Sequence, residues 1–172
     1  MAVWSLICDA SIAAYSCNSP AGLAYILYDT EYVPKLMGSD YVPVCLNSSA
    51  AELLAVCRGF EETLVRINSG ECPDGVRICS DCRYVIIRIL QYAGRESLKA
   101  EELYTLRKEV GSVAAREFEK FLQRYKELSE KLCLEICWVK GHQKNLPQIH
   151  ADHMAKKARQ HGCKKLEADF DD

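Results

Sequence analysis

The chain has 172 residues, a mass of 19.4 kDa and a formal net charge of −2. Apolar residues make up 49% of it, which suits one well-packed domain and excludes a disordered chain. No run approaches the roughly 18 uncharged apolar residues that cross a bilayer, so we expect no membrane association. The near-neutral charge also excludes a general polyanion binder, so any attraction to nucleic acid requires local basic groups or bound cations.

The first half of the chain predicts three strands and then a helix. Residues 2–8 are apolar and stop at an acid, which is typical of a central strand, and strand-like runs follow at 22–28 and 41–46. Apolar residues at three- and four-residue steps from Leu53 to Ile67 predict a helix with one buried face. Ser49 to Glu52 has the spacing of a capping box, which places the helix start there.

The second half alternates strands with helices. Residues 76–79 predict a fourth strand, 84–90 a helix, and 132–139 a fifth strand. The charged segment between them predicts two helices separated at Gly111, and a final helix is predicted from about 148 to 160. We therefore expect a mixed α/β sheet in one domain over residues 1–163, followed by a frayed acidic tail over 164–172.

The chain contains ten cysteines, which raises the question of disulfides or a metal site. Cys8 and Cys137 sit in apolar runs, where a thiol behaves as a small hydrophobe. The first five residues lack the basic start of a secretory signal, so we expect reduced thiols in an intracellular, cytoplasmic protein. Cys79 and Cys82 have the spacing of half a zinc site. The nearest candidates for a second half are Cys133 and Cys137, whose spacing also fits alternating strand residues. A separate zinc site could use His142, His150, His153 and Cys163, although these histidines also fit a solvated surface.

Four acids fall at the ends of predicted elements: Asp9, Glu52, Asp81 and Asp152. Carboxylates that converge repel one another unless hard divalent cations neutralise them. Two such ions about 3.5–4 Å apart would clamp a scissile phosphate. A structural interpretation competes for two of them, because Glu52 completes the capping box and Asp152 suits a helix N-terminus. The positions of the acids along the chain leave both interpretations open.

Short motifs in the chain resemble those of type 1 ribonuclease H, in the same order. The C-terminal signature of that family resembles WVKGH at 138–142, followed nine residues later by ADHMAKKA at 151–158. Its first strand and the following turn resemble ICDAS at 7–11 and PAGLAY at 20–25. Its first helix and its third acid resemble AELLA at 51–55 and SDCRYVI at 80–86. The combination is specific, whereas no single motif would be.

The resemblance implies a fold, an activity and a set of site residues. The implied fold is a ribonuclease H-like α/β domain with a five-stranded mixed sheet flanked by helices, and the implied activity is endonucleolytic cleavage of RNA in RNA–DNA hybrids by a monomer. The implied ligands of two Mg²⁺ ions, with Mn²⁺ as an alternative, are Asp9, Glu52, Asp81 and Asp152. His142 would assist proton transfer or product release from a loop.

Substrate contacts are the part in which the chain departs from the family. Ser48, Ser49 and Ala50 stand where asparagines and an arginine are frequent, which predicts fewer contacts to the hybrid minor groove. Gln148 and Ile149 stand where Asn-Glu is usual. The candidate substrate-binding residues are Asn18, Ser48, Ser49, Lys140, Lys144 and Lys156. Residues 95–131 carry nine basic residues and eight glutamates, which fits a weak basic handle or a pair of solvated helices.

Other functions remain compatible with these residues. The chain could represent a ribonuclease H domain detached from the reverse transcriptase of a mobile element, or another nuclease on the same fold. A catalytically weakened module that only binds nucleic acid is the main alternative that is not an enzyme. Zinc bound at Cys79 and Cys82 would instead indicate a structural module.

Overall fold

A computed structural model describes residues 1–13, 17–141 and 145–170, with the side chains of 164–170 left out of the description. Its strands are β1 Val3–Ile12, β2 Ser19–Tyr28, β3 Pro34–Cys45, β4 Gly75–Ser80 and β5 Cys133–Trp138. Its helices are α1 Ser48–Asn68, α2 Arg83–Tyr92, α3 Ala100–Ser129 and α4 Leu146–Phe170. Among the described residues, no helix combines the length and apolar character needed to cross a bilayer.

The five strands form one mixed sheet in the order β3-β2-β1-β4-β5. β2 pairs antiparallel with both β1 and β3, whereas β4 pairs parallel with both β1 and β5. The antiparallel part needs only turns, and each parallel step uses a helical crossover. This arrangement confirms the predicted five-stranded mixed sheet.

The two faces of the sheet are covered by different helices. Alternate residues of a strand point to opposite faces, so Leu6 and Cys8 join the main core with α1 and α3, whereas Ile7 joins a smaller core with Ala151 of α4. α4 lies close to the sheet at Gly22, where an added methyl group would overlap the backbone of Ala155. The missing side chain at Gly22 therefore lets α4 approach β2 at Ala155 and Arg159.

The start of α1 corrects one sequence prediction. The N-cap is Asn47, not Ser49, because Asn47 has an extended backbone and its side-chain oxygen accepts a hydrogen bond from the Ala50 N–H at 2.9 Å. The Asn47 amide also donates to the Glu109 carbonyl of α3 at 2.7 Å, which fixes the helix start against a neighbour. Glu52 is therefore the fifth residue of α1 and takes no part in a capping box.

In two other helices, the structure can be compared with a predicted break and a predicted end. α3 is one helix by its hydrogen-bonding pattern, but the backbone of Gly111 is not helical, with φ 85° and ψ 165°. This kink confirms the predicted break at the glycine. α4 begins at Leu146 and continues to Phe170, so it extends beyond the predicted helix end near 160 and into the segment predicted to be a tail. The reason is compositional, since Lys, Leu, Glu and Ala dominate residues 164–169 and all favour helix.

All ten cysteines lie in the described part of the chain as free thiols. Cys79 and Cys137 are register partners across β4 and β5, not corners of a ligand tetrahedron. Burial raises the pKa of Cys79 to about 12, which opposes the thiolate form that zinc requires.

Candidate active site

The register of β1 and β4 brings the first two acids together. The last parallel pair of these strands is Ile7 with Cys79, and Asp9 and Asp81 each lie two residues beyond it. β1 continues past Asp9 to Ile12 because it still pairs with β2, so Asp9 lies within the strand and not at its end as predicted. Asp81 immediately follows the last residue of β4.

Glu52 joins these two acids from above the sheet. α1 packs across β1, and Glu52 projects from its second turn toward the strand ends. Carboxylate oxygens of Asp9, Glu52 and Asp81 all lie within 4.8 Å of one another. Within the described ranges, no other group of three or more potential metal-ligating side chains converges in this way, so Cys79, Cys82, Cys133 and Cys137 do not form a zinc site. The alternative zinc site includes His142, which lies outside the described residues.

Burial and the charges of neighbouring acids raise the pKa values of Asp9 and Glu52. Asp9 is only 6% exposed, and burial followed by the charge of Asp81 raises its pKa to about 7. Burial, with the charges of Asp9 and Asp81, raises the pKa of Glu52 well above its usual value. Glu52 Oε2 is shielded from solvent and has no hydrogen-bond partner among the described residues. An oxygen-only donor set with an unused buried oxygen fits a hard divalent cation.

The fourth predicted ligand lies at the wall of the same pocket. A cavity of about 160 Å³ is lined by Asp9, Ala10, Glu52, Asp81, Gln148, Ile149 and Asp152. Asp152 lies outside the group that converges within 4.8 Å, and its Oδ2 accepts a hydrogen bond from Lys156 Nζ at 2.7 Å. Lys156, predicted as a phosphate contact, is therefore engaged with a candidate metal ligand one helical turn away.

Several residues that the sequence did not single out fix the position of Asp81. The Trp138 indole N–H donates to the Asp81 carbonyl at 2.9 Å, and the Arg83 guanidinium stacks over that indole at 4.9 Å. Ser80 Oγ accepts a hydrogen bond from the Cys82 N–H at 3.1 Å. Gly141 lies against the Asp81 carboxylate, where a methyl group would overlap it. Trp138 and Gly141 both belong to the WVKGH motif, so that motif also holds an acid in place.

Trp138→Phe tests this supporting role. Phenylalanine keeps an aromatic face for Arg83 but cannot donate to the Asp81 carbonyl. We expect the rate of the hybrid cleavage that the family resemblance implies to fall about 10-fold, the loss typical of a group that orients a candidate metal ligand. The unfolding free energy should change by less than about 1 kcal/mol, because Trp138 is 42% exposed. Steady-state kinetics and urea unfolding measure both, and an unchanged rate would contradict the role.

The candidate substrate residues lie in separate parts of the fold or outside the described residues. The backbone N–H of Asn18 donates to the Leu46 carbonyl at 3.2 Å, which places Asn18 beside the start of α1. Ser48 is exposed and Ser49 half-buried in the first turn of that helix, and Lys140 is exposed after β5. His142 and Lys144 lie outside the described residues.

The basic residues of the 95–131 segment are partly neutralised. Lys126 pairs with Glu96 at 2.5 Å and Arg95 with Glu102 at 2.6 Å. Arg124 pairs with Glu127 at 3.3 Å. These intramolecular pairs favour a solvated helical surface over a strongly basic arm.

Comparison with known proteins supplies the family. The RNase H family model matches residues 4–160, which include all four predicted acids. The chain belongs to the RNase H family. The match confirms the resemblance seen in the sequence motifs and supports the expected ribonuclease H enzyme over the other nucleases considered for this fold. No curated protein matches the chain.

Solved structures of the family show the same fold. The N-terminal RNase H domain of Rv2228c from Mycobacterium tuberculosis, solved as a maltose-binding-protein fusion, is 12% identical with a TM-score of 0.62, covering 96% of this chain and 99% of that one. LC11-RNase H1 from compost, in complex with RNA/DNA hybrid, is 15% identical with a TM-score of 0.64, covering 93% and 99%. The foamy viral protease-reverse transcriptase with RNA/DNA hybrid is 16% identical with a TM-score of 0.57, covering 92% and 20%. At these identities the structures establish the shared fold.

Proposed function

We propose that the chain is an endoribonuclease that cleaves the RNA strand of RNA–DNA hybrids with the help of two Mg²⁺ ions. The observation that supports this most strongly is the convergence of Asp9, Glu52 and Asp81 within 4.8 Å at the edge of the sheet. Membership of the RNase H family supplies the substrate class. Hybrid bound to LC11-RNase H1, a structural neighbour, is consistent with that choice.

The carboxylates would hold the ions from three sides of the pocket. Asp9 and Asp81 come from adjacent strand positions and Glu52 from α1, while Asp152 contributes from the α4 wall. Mn²⁺ would satisfy the same oxygen donors. When bound, divalent ions of this kind polarise the phosphate and lower the pKa of water. The part played by the protein is to keep Asp9, Glu52 and Asp81 close together and Asp152 at the wall of the same pocket.

Phosphate and proton contacts complete the proposal. Exposed Lys140 precedes Gly141, which lies beside Asp81, and we propose that Lys140 contacts a phosphate near the pocket. Lys156 holds Asp152 in the protein alone, and we propose that it turns to a substrate phosphate when a cation neutralises Asp152. Asn18, Ser48 and Ser49 would contact the sugar edges of the hybrid. We propose His142 as the group that assists proton transfer or product release.

A panel of duplexes tests the proposed function. Labelled RNA–DNA, RNA–RNA and DNA–DNA duplexes of one sequence are incubated with the protein, with Mg²⁺ or with EDTA. We expect cleavage of the RNA strand of the hybrid alone, and only with the cation. Binding of the hybrid with no cleavage in either Mg²⁺ or Mn²⁺ would favour the module that only binds nucleic acid.

The salt dependence of hybrid binding tests the size of the electrostatic contact. Since Arg95, Arg124 and Lys126 are paired with glutamates, we expect a shallow dependence that corresponds to about three to five neutralised phosphates. Fluorescence anisotropy with a labelled hybrid, measured with Ca²⁺ in place of Mg²⁺ across a salt series, gives the slope. A slope near that of about ten phosphates would mean that residues 95–131 form a basic arm.

A further inference from the structure

Gln148 is a buried polar side chain without a hydrogen-bond partner in the part of the chain that the structure describes. It is 2% exposed, and neither its Oε1 nor its Nε2 makes a hydrogen bond to any described residue. Leaving an amide unsatisfied in the interior costs free energy, so nearly all buried amides in folded proteins are paired. An amide that a protein keeps in this state is expected to meet a ligand that the protein alone does not supply.

The position of Gln148 directs it to the acidic pocket. It lies in the first turn of α4 and lines the 160 Å³ cavity with Asp9, Glu52 and Asp81. Asp152 follows four residues later and so lies on the same face of the helix. The close packing of α4 at Gly22 holds this face against the sheet. The amide therefore lies in the same cavity as the acids.

The chemistry of the amide differs from that of every other side chain around the cavity. Ionised carboxylates only accept hydrogen bonds, whereas an amide has two N–H donors and an acceptor oxygen. Among the described side chains that line the cavity, Gln148 alone carries N–H donors. It does not donate to the carboxylates that share the cavity. A small ligand that lies between the amide and the acids would satisfy both.

We propose that Gln148 is a positioning residue for the bound cation, and that its amide hydrogen-bonds water of the Mg²⁺ hydration shell. Mg²⁺ keeps several of its waters when carboxylates bind it, and those waters need acceptors. Gln148 Oε1 is such an acceptor, and its Nε2 group then donates to a carboxylate or phosphate oxygen in the same shell. This inference rests on the proposed function, because it requires the cation site.

Gln148→Met tests the inference, because methionine has nearly the same length and shape but lacks the amide. Groups that orient metal ligands from outside typically change affinity 10–100-fold. We expect the dissociation constant for Mg²⁺, measured by calorimetry without substrate, to rise about 10-fold. The melting temperature of the metal-free variant should stay the same or rise, since an unsatisfied buried amide has been removed. Gln160→Met, at an exposed position of the same helix, is the control.

A purely structural Gln148 would give the opposite pattern. The metal-free variant would then melt at a lower temperature and bind Mg²⁺ as the original protein does, which would overturn the inference. NMR of the original protein gives a second test that requires no variant. The Gln148 side-chain N–H₂ signals should shift with Mg²⁺ at the calorimetric midpoint, and unshifted signals would contradict the inference alone. Absence of Mg²⁺ binding by the original protein would overturn the inference and the proposed cation site together.

Discussion

Asp81→Asn is expected to abolish hydrolysis of the hybrid while leaving the protein folded. The substitution removes one negative charge and one ligand from a group of three carboxylates that meet within 4.8 Å. Loss of a direct ligand should exceed the effect of losing a group that merely orients one, so we expect a rate loss of more than about 100-fold. Relief of repulsion should leave the unfolding free energy of the metal-free protein unchanged or higher.

Two measurements on Asp81→Asn separate catalysis from folding. Single-turnover cleavage in Mg²⁺ gives the rate, and urea unfolding in EDTA gives the stability. Glu130→Gln, which removes an exposed acid at the end of α3, is the matched control and should retain both. Near-native turnover by Asp81→Asn would show that the reaction takes place without this acid and would exclude the proposed site.

The stability of the metal-free protein is expected to fall as the pH rises from about 4 to 7. In the folded state the pKa of Asp9 is raised from 3.8 to about 7, mainly by burial and then by the charge of Asp81. Below pH 4 Asp9 is protonated in both states and imposes no penalty. Between about pH 4 and pH 7 the unfolded chain releases the proton that the folded state retains. The free energy of unfolding therefore falls with rising pH, by on the order of a few kcal/mol.

Thermal unfolding in EDTA between pH 4 and 8 measures this effect. Asp9→Asn should make the profile shallower, because one of the two acids with raised pKa values has been removed while Glu52 remains. Mg²⁺ should restore stability above pH 7, since cation binding favours the ionised acids. A profile of the original protein that rises from pH 4 to 7 and is unaffected by Asp9→Asn would contradict the burial and crowding described here.

Local patterns in the sequence predict most of the elements but not all of their ends. The apolar spacing between Leu53 and Ile67 was sufficient for α1, yet the N-cap is Asn47 because that residue also meets α3. β3 begins at Pro34, well before the start predicted at 41. The predicted start is late because Gly38 is typical of a turn in sequence. In the structure the ring of Tyr25 occupies the space above Gly38, so a glycine is needed within the strand.

The candidate site depended on facts that the sequence does not contain. The four acids are visible as residues at element ends, but only the register of Ile7 with Cys79 shows that Asp9 and Asp81 meet. The capping-box interpretation of Glu52 competed with a ligand role until the helix start was known. Gln148 stood out in the sequence only as a departure from the family pattern. Its burial and its unpaired amide depend on how α4 packs, which the sequence does not reveal.

The central claim is that the converging carboxylates cut the RNA of a hybrid, and Glu52→Gln tests it most directly. Glutamine has the shape of glutamate, and Glu52 takes no part in capping α1, so folding should be unaffected. Cleavage of a labelled RNA–DNA hybrid in Mg²⁺ is measured for the original protein and the variant. We predict cleavage of the RNA strand by the original protein and a loss of more than about 100-fold in the variant. Equal cleavage by both proteins would contradict the account.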